Sequence, residues 1–197
     1  MLRLGIAGIG VIAGDYIGLI AGGRVQGVEL TALCSRNEEH IQAVSERYGL
    51  QAAAFTDYGE MLSSGAVDAV LICTPHGQHP SMARQALEAG LHVLVEKPVG
   101  IFADEVEELV DVLHSRSGLI CGVLYNRRAS QAYRYVHDLV QGGALGELVR
   151  ATWIITDLYR TDAYYASGSW RGTWQGEGGG LLMTQASHQL DLMQWVC

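Results

Sequence analysis

Residues 2–17 read LRLGIAGIGVIAGDYI, an apolar run that turns through Gly8 and Gly10 into a segment of helical period. Gly8 permits a tight turn, Gly10 lets the backbone approach a pyrophosphate, and Ala13 is small enough for the helix to pack closely on the strand. The N–H groups at the start of that helix, at Val11 and Ile12, then face the phosphates without intrahelical partners. A GxGxxA string is weak by itself; it gains weight here because the strand-turn-helix context surrounds it.

The same rhythm continues along the chain. Apolar runs at 2–8, 28–34, 67–73, 91–96 and 119–124, with a short one near 52–55, read as strands. Helical segments lie between them at about 11–21, 37–48, 57–64, 80–89 and 104–115, with Asn37 and Asp57 as caps and Gly49 and Gly90 at C-terminal ends. Alternation of this kind predicts a doubly wound α/β fold with a parallel sheet of the Rossmann type. A further helix near 129–141 ends in Gly142 and Gly143, after which GELVRATWII is expected to begin a strand in a Tyr- and Trp-rich neighbourhood. The domain boundary is placed between about 118 and 146, giving a dinucleotide-binding domain over 1–122 and the start of a second domain over 123–197.

Composition narrows the function classes. With 197 residues, 49% hydrophobic and 17% charged, the chain can bury a substantial core. A net charge of −8 and scattered arginines oppose phosphate neutralisation, so no nucleic-acid partner is expected. Arg3 and the apolar run after it resemble a short signal peptide, but Asp15 and the dense glycines argue against one. No apolar stretch approaches the length of a membrane span, so no membrane partner is expected. Cys34, Cys73, Cys121 and Cys197 lack CxxC spacing, which fits a reducing, cytoplasmic setting with no metal ligation.

Three stretches carry chemistry. The second strand ends in Cys34, Ser35 and Arg36, where an acidic residue would normally take the adenosine ribose; without a carboxylate nothing repels a 2′-phosphate, so NADP is favoured over NAD. Two further strands end in Thr74-Pro75 and Glu96-Lys97-Pro98, on the carboxyl edge where open α/β sheets bind ligands. Lys97 is the single lysine beside twelve arginines. Unlike arginine, a lysine ammonium can lower its pKa and exchange a proton near neutrality, so position 97 is expected to need a titratable cation. Finally, WRGTWQGEGGGLLMTQASHQLDLMQW brings glycines 176 and 178–180 ahead of His188, which stands three residues before Asp191. A histidine there could take a hydroxyl proton, with a nearby carboxylate or amide fixing its tautomer. Tyr164, Tyr165, Trp170 and Trp174 are expected to serve as packing or interface residues rather than as sugar-stacking platforms.

Taken together, GIAGIG with Ala13, the TPxxxH pattern of Thr74, Pro75 and His79, the EKP of Glu96-Lys97-Pro98, and the GGG…H…D run resemble the glucose-fructose oxidoreductase and inositol dehydrogenase family (Gfo/Idh/MocA). The resemblance spans the whole chain in order. It implies an NAD(P)-dependent oxidoreductase acting on a sugar, cyclitol or related polyol, with His79 and Glu96 joining the glycine turn around the cofactor. It further implies that Lys97 orients the reacting hydroxyl or relays its proton and that His188 is the acid-base catalyst. The family often has an aspartate four residues before that histidine; Thr184 stands there, so Thr184 and Gln185 are left with hydrogen bonding only. Family members continue into a second domain on an open, largely antiparallel sheet and are expected to be homo-oligomers at full length, so this chain is expected to be the N-terminal part of such an enzyme. Two other classes remain open: a non-catalytic NADP(H)-binding module such as a redox sensor, and a truncated subunit that associates through an exposed sheet edge.

Overall fold

The computed structural model describes residues 1–156 and 159–197. The chain divides into two compact units, Met1–Val123 and Leu124–Cys197. The first is a six-stranded parallel sheet in the order β3-β2-β1-β4-β5-β6. Its strands are β1 (Leu2–Ala7), β2 (Val28–Cys34), β3 (Ala53–Phe55), β4 (Ala69–Ile72), β5 (His92–Val95) and β6 (Cys121–Val123). Between them run α1 (Val11–Ala21), α2 (Glu38–Tyr48), α3 (Tyr58–Ser63), α4 (His79–Glu88) and α5 (Ala103–Ser115). This is the doubly wound dinucleotide-binding order, in which the direction of travel across the sheet reverses at β1.

Local chemistry explains these elements. All four residues of β4, AVLI, are buried, as a central parallel strand covered on both faces requires. Ala7, Ala32, Val70, Ile72, Val93 and Val95 from four strands join Ala83, Ala86, Leu87 and Leu109 from α4 and α5 in one core. Asn37 and Asp57 accept the backbone N–H groups of Glu39 and Glu60, both at 2.9 Å, and so start α2 and α3. The side chain of Arg3 on β1 meets Asp68 just ahead of β4 and holds that carboxyl down at about 2, through hydrogen bonds from its guanidinium and backbone.

The second unit contains α6 (Gln131–Gln141), α7 (Asp162–Ala166), α8 (Trp174–Glu177), α9 (Leu181–Thr184) and α10 (Ser187–Val196). The strand expected to begin near Glu147 does not form: 147–156 carries no strand, and Val149 is 95% exposed. A strand is defined by the ladder it makes with a neighbour, and this segment has no neighbouring strand among the described residues. No helix among the described residues is long and apolar enough to cross a membrane.

Candidate active site

Because β1 lies between β2 and β4, the crevice at the carboxyl ends of β1 and β4 is the topological switch point. Gly8, directly after β1, has φ 90, and a Cβ there would lie 2.8 Å from the carbonyl carbon of Cys73 and from the nitrogen of Thr74. The glycine turn and the turn after β4 thus touch backbone to backbone. Above them, Gly10 precedes α1 without any side-chain cap, and a Cβ built on it meets nothing within 4 Å. Val11 is 84% exposed and Ile12 38%. Open space over an uncapped helix start, floored by apolar side chains, fits the pyrophosphate of a dinucleotide with its ribose lying alongside.

The turn after β5 completes this edge. Glu96 is buried; one carboxylate oxygen accepts the Tyr16 hydroxyl from α1 and the other accepts the Lys97 backbone N–H at 3.0 Å. Burial, then Glu96, pushes the Tyr16 hydroxyl well above its ordinary pKa, which keeps it a donor. The same two causes raise the Cys73 thiol to about 12, so this cysteine is inert near neutrality. His79, fully buried at the start of α4, has Nδ1 2.8 Å from the Pro98 carbonyl and Nε2 2.7 Å from the Thr74 carbonyl. It ties the Thr74-Pro75 turn to the Lys97-Pro98 turn. Burial lowers the pKa of its ring, with the two carbonyls and Glu96 acting the other way.

Gly8, Gly10, Val11, Ile12, Thr74, Pro75, His79, Glu96 and Lys97 therefore share the carboxyl edge of the first unit. Ser35 and Arg36 follow β2 on the same edge. The Ser35 hydroxyl accepts the Asn37 N–H at 3.3 Å, and Arg36 is exposed.

His188 and Thr184 belong to the second unit. His188 is the second residue of α10 and half-buried, with the Tyr125 ring edge-on at 6.0 Å between centroids. Burial, followed by Asp191, raises the pKa of that tyrosine. Asp191 receives the Nε and Nη2 donors of Arg128 at 2.8 and 2.5 Å, so a guanidinium holds the carboxylate nearest His188 in sequence. Thr184 is buried and donates to the Gly180 carbonyl at 3.3 Å.

Residues 2–125 match the oxidoreductase family with an NAD-binding Rossmann fold, and residues 133–197 match the GFO/IDH/MocA C-terminal domain. The chain belongs to the Gfo/Idh/MocA family. Among relatives of this Gfo/Idh/MocA chain, the 4-carboxy-2-hydroxymuconate-6-semialdehyde dehydrogenase of Sphingobium sp. is 30% identical over 195 residues, covering 98% of this chain and 58% of the relative. The WlbA dehydrogenase of Bordetella pertussis, solved with NADH and UDP-GlcNAcA, superposes with a TM-score of 0.83 at 30% identity, over 99% of this chain and 59% of that one. The scyllo-inositol dehydrogenase of Lactobacillus casei, solved with NAD(H) and scyllo-inositol, gives 0.82 at 26% identity, over 100% and 56%. The chain thus spans little more than half the length of these relatives.

Sequence reasoning missed Tyr16 and Tyr125. Tyr16 lies three residues after the buried Ala13 on α1, a spacing that puts both on one side of the helix and could have flagged it. Tyr125 gives no local signal, because its partner His188 is 63 positions away.

Proposed function

We propose that this chain belongs to an NAD(P)-dependent oxidoreductase that interconverts a CH–OH group and a carbonyl on a sugar, cyclitol or related polyol, with the cofactor residues in the first unit and His188 in the second. The observation that carries this reading is the hold on Glu96, between the Tyr16 hydroxyl and the Lys97 backbone, at the sheet edge that also bears the glycine turn. A bound nicotinamide supplies the hydride acceptor or donor. In this reading Lys97 orients the reacting hydroxyl or relays its proton, and His188 is the acid-base catalyst. Thr184 stands where a second ionisable group would be useful, and its hydroxyl contributes hydrogen bonding alone.

NADP is the preferred cofactor in this reading. Cys34 leaves no carboxylate at the end of β2, and Arg36 makes no hydrogen bond or ion pair with the described residues, so it is available to a 2′-phosphate. Titration with NADPH and NADH, following nicotinamide fluorescence and thermal stability together, tests both points. Tighter NADPH binding is expected, with Arg36→Ala removing about tenfold of that advantage. Equal affinities would overturn the preference, and binding of neither would overturn the cofactor site. A second reading, a non-catalytic NADP(H)-binding sensor, is favoured by the engagement of Thr184 with Gly180. Sustained turnover across a polyol panel removes it.

A further inference from the structure

The second unit gathers two arginines on one tyrosine. The guanidinium carbons of Arg160 and Arg171 lie 4.8 and 4.4 Å from the Tyr164 ring centroid, and Arg171 also lies 4.7 Å from that of Trp170. Arg171 Nη1 donates to the Tyr164 hydroxyl at 2.6 Å, and Gln185 Nε2 donates to the same oxygen at 3.2 Å. Arg160 Nη2 donates to Gln185 Oε1 at 2.7 Å, so the two cations are linked through the Gln185 amide and the Tyr164 hydroxyl. Gln185 directly follows Thr184 and stands three residues before His188.

This cluster is incomplete electrostatically. The chain has 21 acidic residues against 13 basic ones, yet neither arginine pairs with a carboxylate among the described residues. Arg171 Nε is buried and has no hydrogen-bond acceptor among them. Two guanidinium groups on one ring repel, and a buried N–H without an acceptor is unfavourable. An anionic oxygen group offsets the repulsion. With Nη1 given to Tyr164 and Nε enclosed by protein, Arg171 keeps Nη2 as a charged donor for a carboxylate or phosphate oxygen. We propose that Arg160, Arg171 and Gln185 form an anion subsite beside the His188 segment, so that the hydroxylated substrate carries a carboxylate or a phosphate ester. The assignment of the bound anion as substrate rests on the oxidoreductase reading; the subsite itself does not.

The test is calorimetric titration of the full chain with D-glucuronate, D-glucose 6-phosphate and D-glucose. At least one acid should bind about tenfold or more tightly than glucose, with the difference shrinking as salt rises. Whichever acid is preferred names the group. Arg171→Gln should bring its affinity to that of glucose, Arg171→Lys should restore part of it, and Arg160→Gln should reproduce the loss from a more exposed position. A near-native urea midpoint followed by tryptophan fluorescence, all four tryptophans lying in the second unit, shows that each variant has folded there. Equal binding of acids and glucose, binding of none, or a preference that survives both glutamine variants overturns the subsite. Turnover is scored separately: selective acid binding without oxidation keeps the subsite and removes the dehydrogenase, whereas oxidation of glucose and glucuronate with equal KM does the reverse.

Discussion

Lys97 is anchored at its backbone by Glu96, so removing its ammonium should leave the turn in place. Lys97→Met is expected to lower kcat by about 10²–10⁴-fold, the usual worth of a positioned proton-transfer group, while cofactor affinity stays within about threefold. An equal loss of cofactor binding and rate would remove Lys97 from the chemistry. His79 yields a prediction in pH. Burial places its folded pKa below the ordinary value of 6.5, so on acidification the unfolded chain takes up a proton before the folded chain does. Stability from this group is therefore fully present above about 6.5 and declines as pH falls toward the depressed folded value. Urea unfolding midpoints of the chain should fall from about pH 7 to pH 5, and His79→Gln should flatten that fall. An unaltered slope would mean that the ring takes up its proton alike in the folded and unfolded chain, and a steeper fall that the two carbonyls keep it protonated when folded.

The glycine turn between β1 and α1 is constrained twice, by a positive φ at Gly8 and by the backbone of Cys73 and Thr74 at 2.8 Å from any Cβ there. Gly8→Ala should cost at least about 1–3 kcal/mol in urea unfolding and abolish cofactor binding, because backbone cannot yield as a side-chain tip can. Near-native stability would mean that the turn after β4 is free to retreat. Elements such as β1, β4 and α2 were legible in the sequence because their signals are local: an apolar run buried on both faces, or Asn37 one residue ahead of a helix. The expected strand near Glu147 misled because an apolar, β-branched stretch says nothing about a partner, and pairing decides whether a strand exists. The edge residues from Gly8 to Lys97 could be grouped beforehand, since parallel βαβ units deliver successive turns to one side. The Tyr16–Glu96 bond spans 80 positions, and the Arg160, Arg171 and Tyr164 cluster depends on how short helices fold back; neither has a period to read.

The division at Val123 and Leu124 makes the whole chain testable as two units with different ligand responses. A cofactor that binds only the folded first unit stabilises it by mass action, by about 2.7 kcal/mol at a hundred times its Kd. Amides that exchange by local opening report where that energy is spent. Saturating NADPH should slow exchange at Gly10, Val11 and Ile12, whose N–H groups begin α1 without a side-chain cap, and in the turns at Cys73–Thr74 and Glu96–Lys97. Segments of the second unit that open locally should keep their rates, including the Trp170–Arg171 stretch, since the proposed anion subsite takes substrate and not cofactor. The acidic sugar that is preferred, carboxylate or phosphate ester, should then slow exchange around Arg160, Tyr164 and Gln185 while leaving the glycine turn unchanged. Protection by NADPH in the second unit alone would place the dinucleotide away from the switch point of the sheet. Protection of the Arg160 and Arg171 segment by NADPH without any sugar would instead identify the cofactor's own phosphates as the anion that those arginines attract.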